Sequence, residues 1–254
     1  MLGAGIAQVL AQALVPLLAA GLLGTTVVPP TPNVGFDYQL GGVTKPAAGV
    51  KIVVRDRTAK PAKGCYNVCY LNAFQTQPDA LGWWRKKHFG LVLKRRGKPV
   101  VDGDWGEWLL DTRKPRKLAA VVKSWIDRCA RDGFDAVEFD NLDSWSRSHR
   151  LLKRKHNKAY AKLLVKRAHK AGLATGQKNW AGLKGTRLGF DFAIAEECGR
   201  YRECGRYVRE YGTRVYVIEY RRKDFDKTCD RWGDRLSVIL RDRELRSHGV
   251  HRAC

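Results

Sequence analysis

From Val34 onward the chain repeats one alternation, and this limits its fold more than any other feature. Short apolar, β-prone runs recur eight times: Phe36–Leu40, Lys51–Arg55, Tyr66–Leu71, Asp135–Phe139, Leu173–Gln177, Phe190–Ala195, Arg214–Ile218 and Leu236–Leu240. Amphipathic segments lie between them. Over 116–131 the residues Leu118, Val122, Trp125, Ile126 and Cys129 recur at three and four positions, the period of one helix face. Over 156–171 Tyr160, Leu163, Leu164, Ala168 and Ala171 do the same, and Gly133 and Gly172 follow where a left-handed cap is wanted. Eight strands alternating with helices predict an α/β fold, a single (β/α)8 TIM-type barrel over 35–254. A doubly wound sheet is the competing arrangement, but no G-x-G-x-x-G or phosphate loop follows any strand.

Ahead of the barrel, residues 1–34 hold no Lys, Arg, Asp or Glu. The apolar stretch 1–28 reads as a signal peptide or signal anchor, and 29–34, which contains three prolines, as a short stiff linker. No basic residue precedes the apolar run, so an amphipathic helix or a misassigned start stands as the alternative; export to the cell surface or medium is the expectation. Seven cysteines leave at least one unpaired in a monomer. Cys198 and Cys204 flank five residues and are the best disulfide candidate. Cys65 and Cys69 would sit about 13 Å apart on a regular strand, too far to pair. No Cys/His set has zinc-finger spacing, so no structural metal is expected, and no cofactor.

In such a barrel chemistry sits at the C-terminal strand ends, and acids and amides collect there. The first strand carries Asp37 and Gln39, the second runs into Asp56, and the third ends Tyr70-Leu71-Asn72. The fourth reads Glu138-Phe139-Asp140-Asn141, the fifth ends Lys178-Asn179-Trp180, the sixth Glu196-Glu197, the seventh Glu219-Tyr220 and the eighth Asp242. On the fourth strand Val137 and Phe139 share the face that should meet helices, which leaves Glu138 and Asp140 pointing into the barrel, Asp140 nearer the mouth. Helix capping is the alternative use of Asp140 and Asp143. On the sixth strand alternation places Glu196 with Phe192 and Ile194 and Glu197 with Ala193 and Ala195, and periodicity alone does not choose between them.

Two carboxyl groups facing each other across a barrel mouth are what glycosidic cleavage needs. One, protonated, protonates the leaving oxygen; the other, ionised, attacks the anomeric carbon or activates a water. Trp105, Trp108, Trp145 and Trp180 near strand ends offer flat faces for sugar rings, although packing is the plainer use of such residues.

Several motifs together resemble glycoside hydrolase family 114, the endo-α-1,4-polygalactosaminidase-like (β/α)8 proteins. They are Phe36-Asp37-Tyr38-Gln39-Leu40-Gly41-Gly42, Trp105-Gly106-Glu107-Trp108-Leu109-Leu110-Asp111, Asp135 through Asp143, Phe190 through Glu196 with Cys198 and Cys204, and Val217-Ile218-Glu219-Tyr220. The resemblance runs collinearly from about Phe36 to Asp242. It implies hydrolysis of an α-1,4-linked galactosamine polymer by Asp140 and Glu196, and so implies Glu196 over Glu197. Asp37, Gln39, Asp56, Tyr70, Asp111, Glu138, Asn141, Lys178, Asn179 and Glu219 are the expected substrate-binding set. Ala195 stands where the family usually has Asn, Glu197 where it has Gln, and Leu71-Asn72-Ala73 where it has Phe-Ser-Ala, departures that bear on substrate preference.

Charge complicates this reading. The formal net charge is +23, and the segment Arg150–Lys170 holds nine Lys and Arg and no acid. A polygalactosamine is itself cationic, but exposed charges are screened within about 10 Å at 0.1 M salt, whereas rim carboxylates would touch the substrate. The basic helix is either a solvated face or a tether to an anionic cell-envelope surface. The rival readings are a non-catalytic carbohydrate- or anionic-polymer-binding barrel and, more weakly, nucleic-acid binding, for which no recognition motif accompanies the charge.

Overall fold

The structure, a computed structural model, describes residues 27–254. The segment expected as a signal or anchor therefore lies, except for its last two residues, outside the described residues. Every apolar run becomes a strand: β1 (Gly35–Gln39), β2 (Val50–Asp56), β3 (Tyr66–Asn72), β4 (Ala136–Asp140), β5 (Ala174–Lys178), β6 (Phe192–Glu196), β7 (Val215–Glu219) and β8 (Ser237–Arg241). These pair in parallel in chain order, and a short strand, β9 (His251–Ala253), adds antiparallel to β8. Several strands run one residue further than the apolar pattern, because the ladder is a backbone property that continues through polar strand-end residues.

Helices α1 (Leu81–Lys87) and α2 (Pro115–Arg131) lie in the long β3–β4 excursion, α3 (Arg154–Lys170) follows β4, α4 (Cys204–Tyr211) follows β6 and α5 (Arg222–Trp232) follows β7. The expected alternation fails at three crossings. The β1–β2 and β2–β3 links carry no helix, and β5–β6 carries only the 3-10 turn Thr186–Leu188. The first two of these links are too short to hold a helix and its two turns.

Strand alternation sorts the core into two layers. Phe36, Tyr38, Val54, Val68, Phe192, Ile194, Tyr216 and Ile218 fill the barrel interior. Leu71, Val137, Phe139, Ala193 and Val217 face outward onto Leu118, Val122, Ile126, Tyr160 and Leu164 of the helices. Each such large apolar side chain contributes roughly 1.5–3 kcal/mol when fully buried. Gly176 lets β5 pass the Phe192 ring, since a Cβ there would lie 2.7 Å from it. The proline-rich segment lies against the N-terminal end of the barrel: Tyr66 donates to the Val28 carbonyl (2.7 Å) and Tyr216 to those of Pro30 and Thr31 (3.0 and 2.9 Å).

Cys198 and Cys204 form a disulfide, as their spacing suggested, and Cys65 is free. Cys69–Cys129 joins β3 to α2 and Cys229–Cys254 joins α5 to the C-terminus; at separations of 60 and 25 residues, only the fold brings these partners together.

Among the described residues no backbone ladder joins β8 to β1, and side chains close the barrel there. Ser237 accepts from the Val34 amide (3.1 Å) and donates to its carbonyl (2.8 Å). Arg241 donates to Asp37 Oδ1 at 2.7 Å and to the Tyr38 carbonyl, with both side chains buried. Removing one partner of a buried ion pair leaves the other uncompensated. Arg241→Met should therefore cost about 3–5 kcal/mol in urea unfolding, and Asp37→Asn combined with Arg241→Met should recover part of that loss.

Candidate active site

At the C-terminal mouth the ends of β4, β5 and β6 converge on one ammonium group. Lys178 ends β5 and is 2% exposed. Its Nζ lies 3.3 Å from Glu196 Oε2, 3.4 Å from Glu138 Oε1 and 3.7 Å from Asp140 Oδ1, and it donates to the Tyr38 hydroxyl at 3.0 Å. Burial alone would lower the Lys178 pKa, but Asp140, Glu196 and Glu138 outweigh it and hold the ammonium protonated well above its usual range. Sharing one ammonium limits the nearest oxygens of Asp140 and Glu196 to the sum of their two distances from it. That upper bound does not exceed the widest separation, about 9.5 Å, at which paired glycosidase carboxyls act.

Each of these two carboxylates has its own donors. Tyr70 donates to Asp140 Oδ2 at 2.7 Å and the Asn141 amide to Oδ1 at 2.7 Å. Asn179 donates to Glu196 Oε2 at 3.0 Å and Tyr220 to Oε1. Burial raises the Glu196 pKa, but Lys178 and the bonds from Tyr220 and Asn179 overcome it, so the group sits below its ordinary value and is ionised. Burial and the adjacent carboxylates push Tyr38, Tyr70 and Tyr220 well above 10, which keeps all three as donors. Glu138 lies beneath the pair, fully buried; it accepts from Tyr38 at 2.8 Å and is lifted to about 7 by burial against the pull of Lys178.

The strand ends share a backbone device. Asn141, Asn179, Trp180 and Glu197, which follow the ends of β4, β5 and β6, all have left-handed φ of 53° to 65°. Asn tolerates this conformation; for Trp180 it costs roughly 1–2 kcal/mol. Gln177 holds the strained turn by donating to the carbonyls of Asn179 (2.8 Å) and Trp180 (3.1 Å), while accepting from Tyr211 (2.6 Å). Glu196 faces the cleft with no bulge, because Phe192 and Ile194 are the interior residues of β6. Glu197 does not line the floor beside Asp140; it pairs with Arg200 at 2.6 Å and lines a neighbouring pocket.

Over this floor opens a cleft of about 580 Å³ lined by nine carboxylates and three cations. Asp140, Glu196, Asp56, Tyr70, Asn141, Lys178 and Asn179 all line it. The other expected residues do not. Asp37 and Gln39 face away from the interior, held by Arg241 and Arg55. Asp111 binds Arg113 at 2.7 Å at the start of α2. Glu219 lies behind β7, where its Oε1 accepts from the Gly199 amide at 2.7 Å and steadies the Cys198–Cys204 loop. Alternation explains two of these placements: Phe36 and Tyr216 point inward, so Tyr38 and Tyr220, not Asp37 and Glu219, share their face.

Several site residues had no periodic signal because the β3–β4 excursion delivers them. Asp102 pairs with Arg147 at 2.7 Å, and Glu107 receives Asn72 Nδ2 at 2.9 Å on each oxygen. Burial lifts Glu107 to about 7 despite that bond. Trp105, 54% exposed, stands at the rim, whereas Trp108 is core. The Cys198, Cys204 and Glu219 cluster could offer metal ligands only with its disulfide reduced.

The class this defines is a (β/α)8 barrel with an acidic cleft at its C-terminal mouth, floored by carboxylates from β4 and β6 on either side of Lys178. The model of glycoside-hydrolase family GH114 matches residues 22–254, and the chain belongs to that family and is a glycosidase. Its fold is similar to Aspergillus fumigatus Ega3, solved in complex with galactosamine, at TM-score 0.73 and 18% identity over 89% of this chain and 97% of that one. It is also similar to the glycoside hydrolase domain of PelA from Pseudomonas aeruginosa, at TM-score 0.60 and 14% identity over 85% and 96% of the two chains. No curated protein sequence matches it.

Glu219 yields a pH test. Burial raises it from 4.5 to about 7, and its Oε2 has no partner among the described residues. A carboxyl whose folded pKa is raised favours folding below its unfolded pKa, and that contribution is lost as pH climbs through the folded value. The stability of Glu219→Gln relative to wild type should therefore rise by up to about 3 kcal/mol between pH 4 and pH 8, read from urea midpoints. A pH-independent difference would refute the buried, proton-binding Glu219.

Proposed function

We propose that the chain hydrolyses an α-1,4-linked galactosamine-containing polysaccharide, with Asp140 and Glu196 as the acting pair. The observation that carries this reading is the acidic cleft on a chain of net charge +23, with those two carboxylates opposed across Lys178 on its floor. A protonated amino sugar meets carboxylates at contact range, where attraction exceeds the screened repulsion of distant surface cations. One carboxyl protonates the glycosidic oxygen while the other, ionised, attacks the anomeric carbon or activates a water. Lys178 holds both groups, Tyr70 fixes Asp140 and Tyr220 fixes Glu196, the preorganisation such a step requires. The fold shared with Ega3, solved in complex with galactosamine, supports the sugar class.

Export is part of the proposal. Three disulfides suit an oxidising compartment, and no described helix is long and apolar enough to cross a membrane. The outer face of α3 exposes Lys155, Lys162, Lys166 and Lys170 with no acid on the helix, which fits a tether to an anionic cell-envelope surface.

Asp140→Asn and Glu196→Gln should each lower hydrolysis of galactosamine oligomers by about 10²–10⁴-fold while binding persists. A binding-only barrel would show no wild-type turnover for either change to remove. For wild type, kcat/KM on a cationic oligomer should hold or rise between 10 and 150 mM salt, as screening shortens from about 30 to 8 Å. A steep fall would point to an anionic ligand instead.

A further inference from the structure

The β3–β4 excursion is divided by charge. Residues 102–111 hold four acids, of which Asp102, Asp104 and Glu107 line the cleft. Residues 81–98 hold seven Lys and Arg and no acid. A separate hollow of about 410 Å³ opens between the end of α1 and the first turns of α2, and it shares no lining residue with the cleft. Lys87, His88, Lys114 and Lys117 line it together with Leu91 and Val121, and no carboxylate does. Lys87 and Lys117 have no acidic partner within 4.0 Å among the described residues. Lys114 is held in place: its Nζ donates to the Gly90 carbonyl at 2.7 Å and lies 3.6 Å from Asp111, which is buried and already bound by Arg113. Three ammonium groups around one hollow repel one another, and an anion seated among them turns that repulsion into attraction.

Aromatic surface adjoins the hollow. Trp83 on α1 is 39% exposed, whereas its neighbour Trp84 is core. The Trp83 ring lies 4.6 Å from the imidazole of His88, which lines the hollow, and 5.9 Å from Trp125, one turn beyond Val121 on α2. The face of a pyranose stacks on indole, and a carboxylate on that ring meets lysines by charge-assisted hydrogen bonds. A cationic galactosamine chain is repelled by the same lysines, and an apolar partner would bury them unpaired. One partly exposed indole also offers little apolar surface to enter a bilayer.

We propose that the groove between α1 and α2 is a non-catalytic docking site for an acidic polysaccharide, a uronic-acid chain whose carboxylates sit among Lys87, Lys114 and Lys117 while one ring stacks on Trp83. The cleft and the groove then take polymers of opposite charge, which holds the protein on a matrix that contains both. The site is independent of the cleft's chemistry and of the basic face of α3.

Binding of an oligogalacturonate to the full chain would be measured by calorimetry, beside a neutral maltooligosaccharide of the same length, inorganic phosphate and phosphatidylglycerol vesicles. The expected result is binding of the oligogalacturonate alone, weakening steeply between 10 and 150 mM salt. Trp83→Ala should weaken it roughly tenfold, the scale of one aromatic contact. Lys87→Glu combined with Lys117→Glu, both exposed, should weaken it by at least about tenfold without changing hydrolysis of soluble galactosamine oligomers; this pair decides the matter if Trp83→Ala fails to fold. Lys155→Glu with Lys162→Glu on α3 should leave the affinity nearly unchanged. No binding, equal binding of the neutral chain, displacement by inorganic phosphate, preference for the vesicles, or loss through the α3 pair but not the Lys87 and Lys117 pair would each overturn the proposal. Asp140→Asn should bind the oligogalacturonate as wild type does, so the site stands or falls apart from the hydrolase reading.

Discussion

One buried ammonium organises the molecule's chemistry. Lys178 stands at the end of β5 between Asp140 on β4 and Glu196 on β6, with Glu138 beneath, and no other described cation is close enough to balance the three. Without it, three carboxylates would crowd one barrel mouth, and like charges at such close range do not all stay ionised. With it, Glu196 stays charged while Glu138, the most deeply buried, carries the raised pKa. The tyrosines add direction: each hydroxyl is kept protonated by burial and aims its hydrogen at one carboxylate oxygen.

Charge is divided by depth and side. Cations dominate the outer surface, α3 above all, while the cleft collects acids from the strand ends and from the β3–β4 excursion. The departures from the family pattern fall unevenly on this layout. Ala195 faces the helices and does not reach the cleft. Asn72 is inside the site, bridging Glu107 and Asn141, and Glu197 borders the neighbouring pocket. Altered specificity is therefore to be sought at Asn72 and Glu197.

Much of the fold was legible because the eight strands are buried on both faces and read as short apolar, β-prone runs, while two long helices bury one face and carry a period of 3.6. On β4 strand alternation placed Glu138 and Asp140 inside, where the structure has them. On β1 and β7 attention to charge over phase favoured Asp37 and Glu219, although Tyr38 and Tyr220 follow the interior alternation. Asp111 looked like a site residue only because it ends a motif whose other acid, Glu107, reaches the cleft.

Local pattern decided every feature set by a residue and its near neighbours: strand phase, helix faces, caps, the Cys198–Cys204 loop and the concentration of acids at strand ends. Tertiary structure alone decided the features that depend on groups far apart in sequence. Asp102 and Glu107 reach the cleft by an irregular excursion, Cys69 meets Cys129 across 60 residues, and Arg241 closes the barrel onto Asp37. Lys178 illustrates the difference: its strand-end place marked it as a site residue, but only the sheet, which sets β4 and β6 on either side of β5, brings Glu138, Asp140 and Glu196 to it. Periodicity arises from solvent exclusion along one element, whereas an ion cluster arises from closure of the whole sheet, for which no short stretch of sequence carries a period.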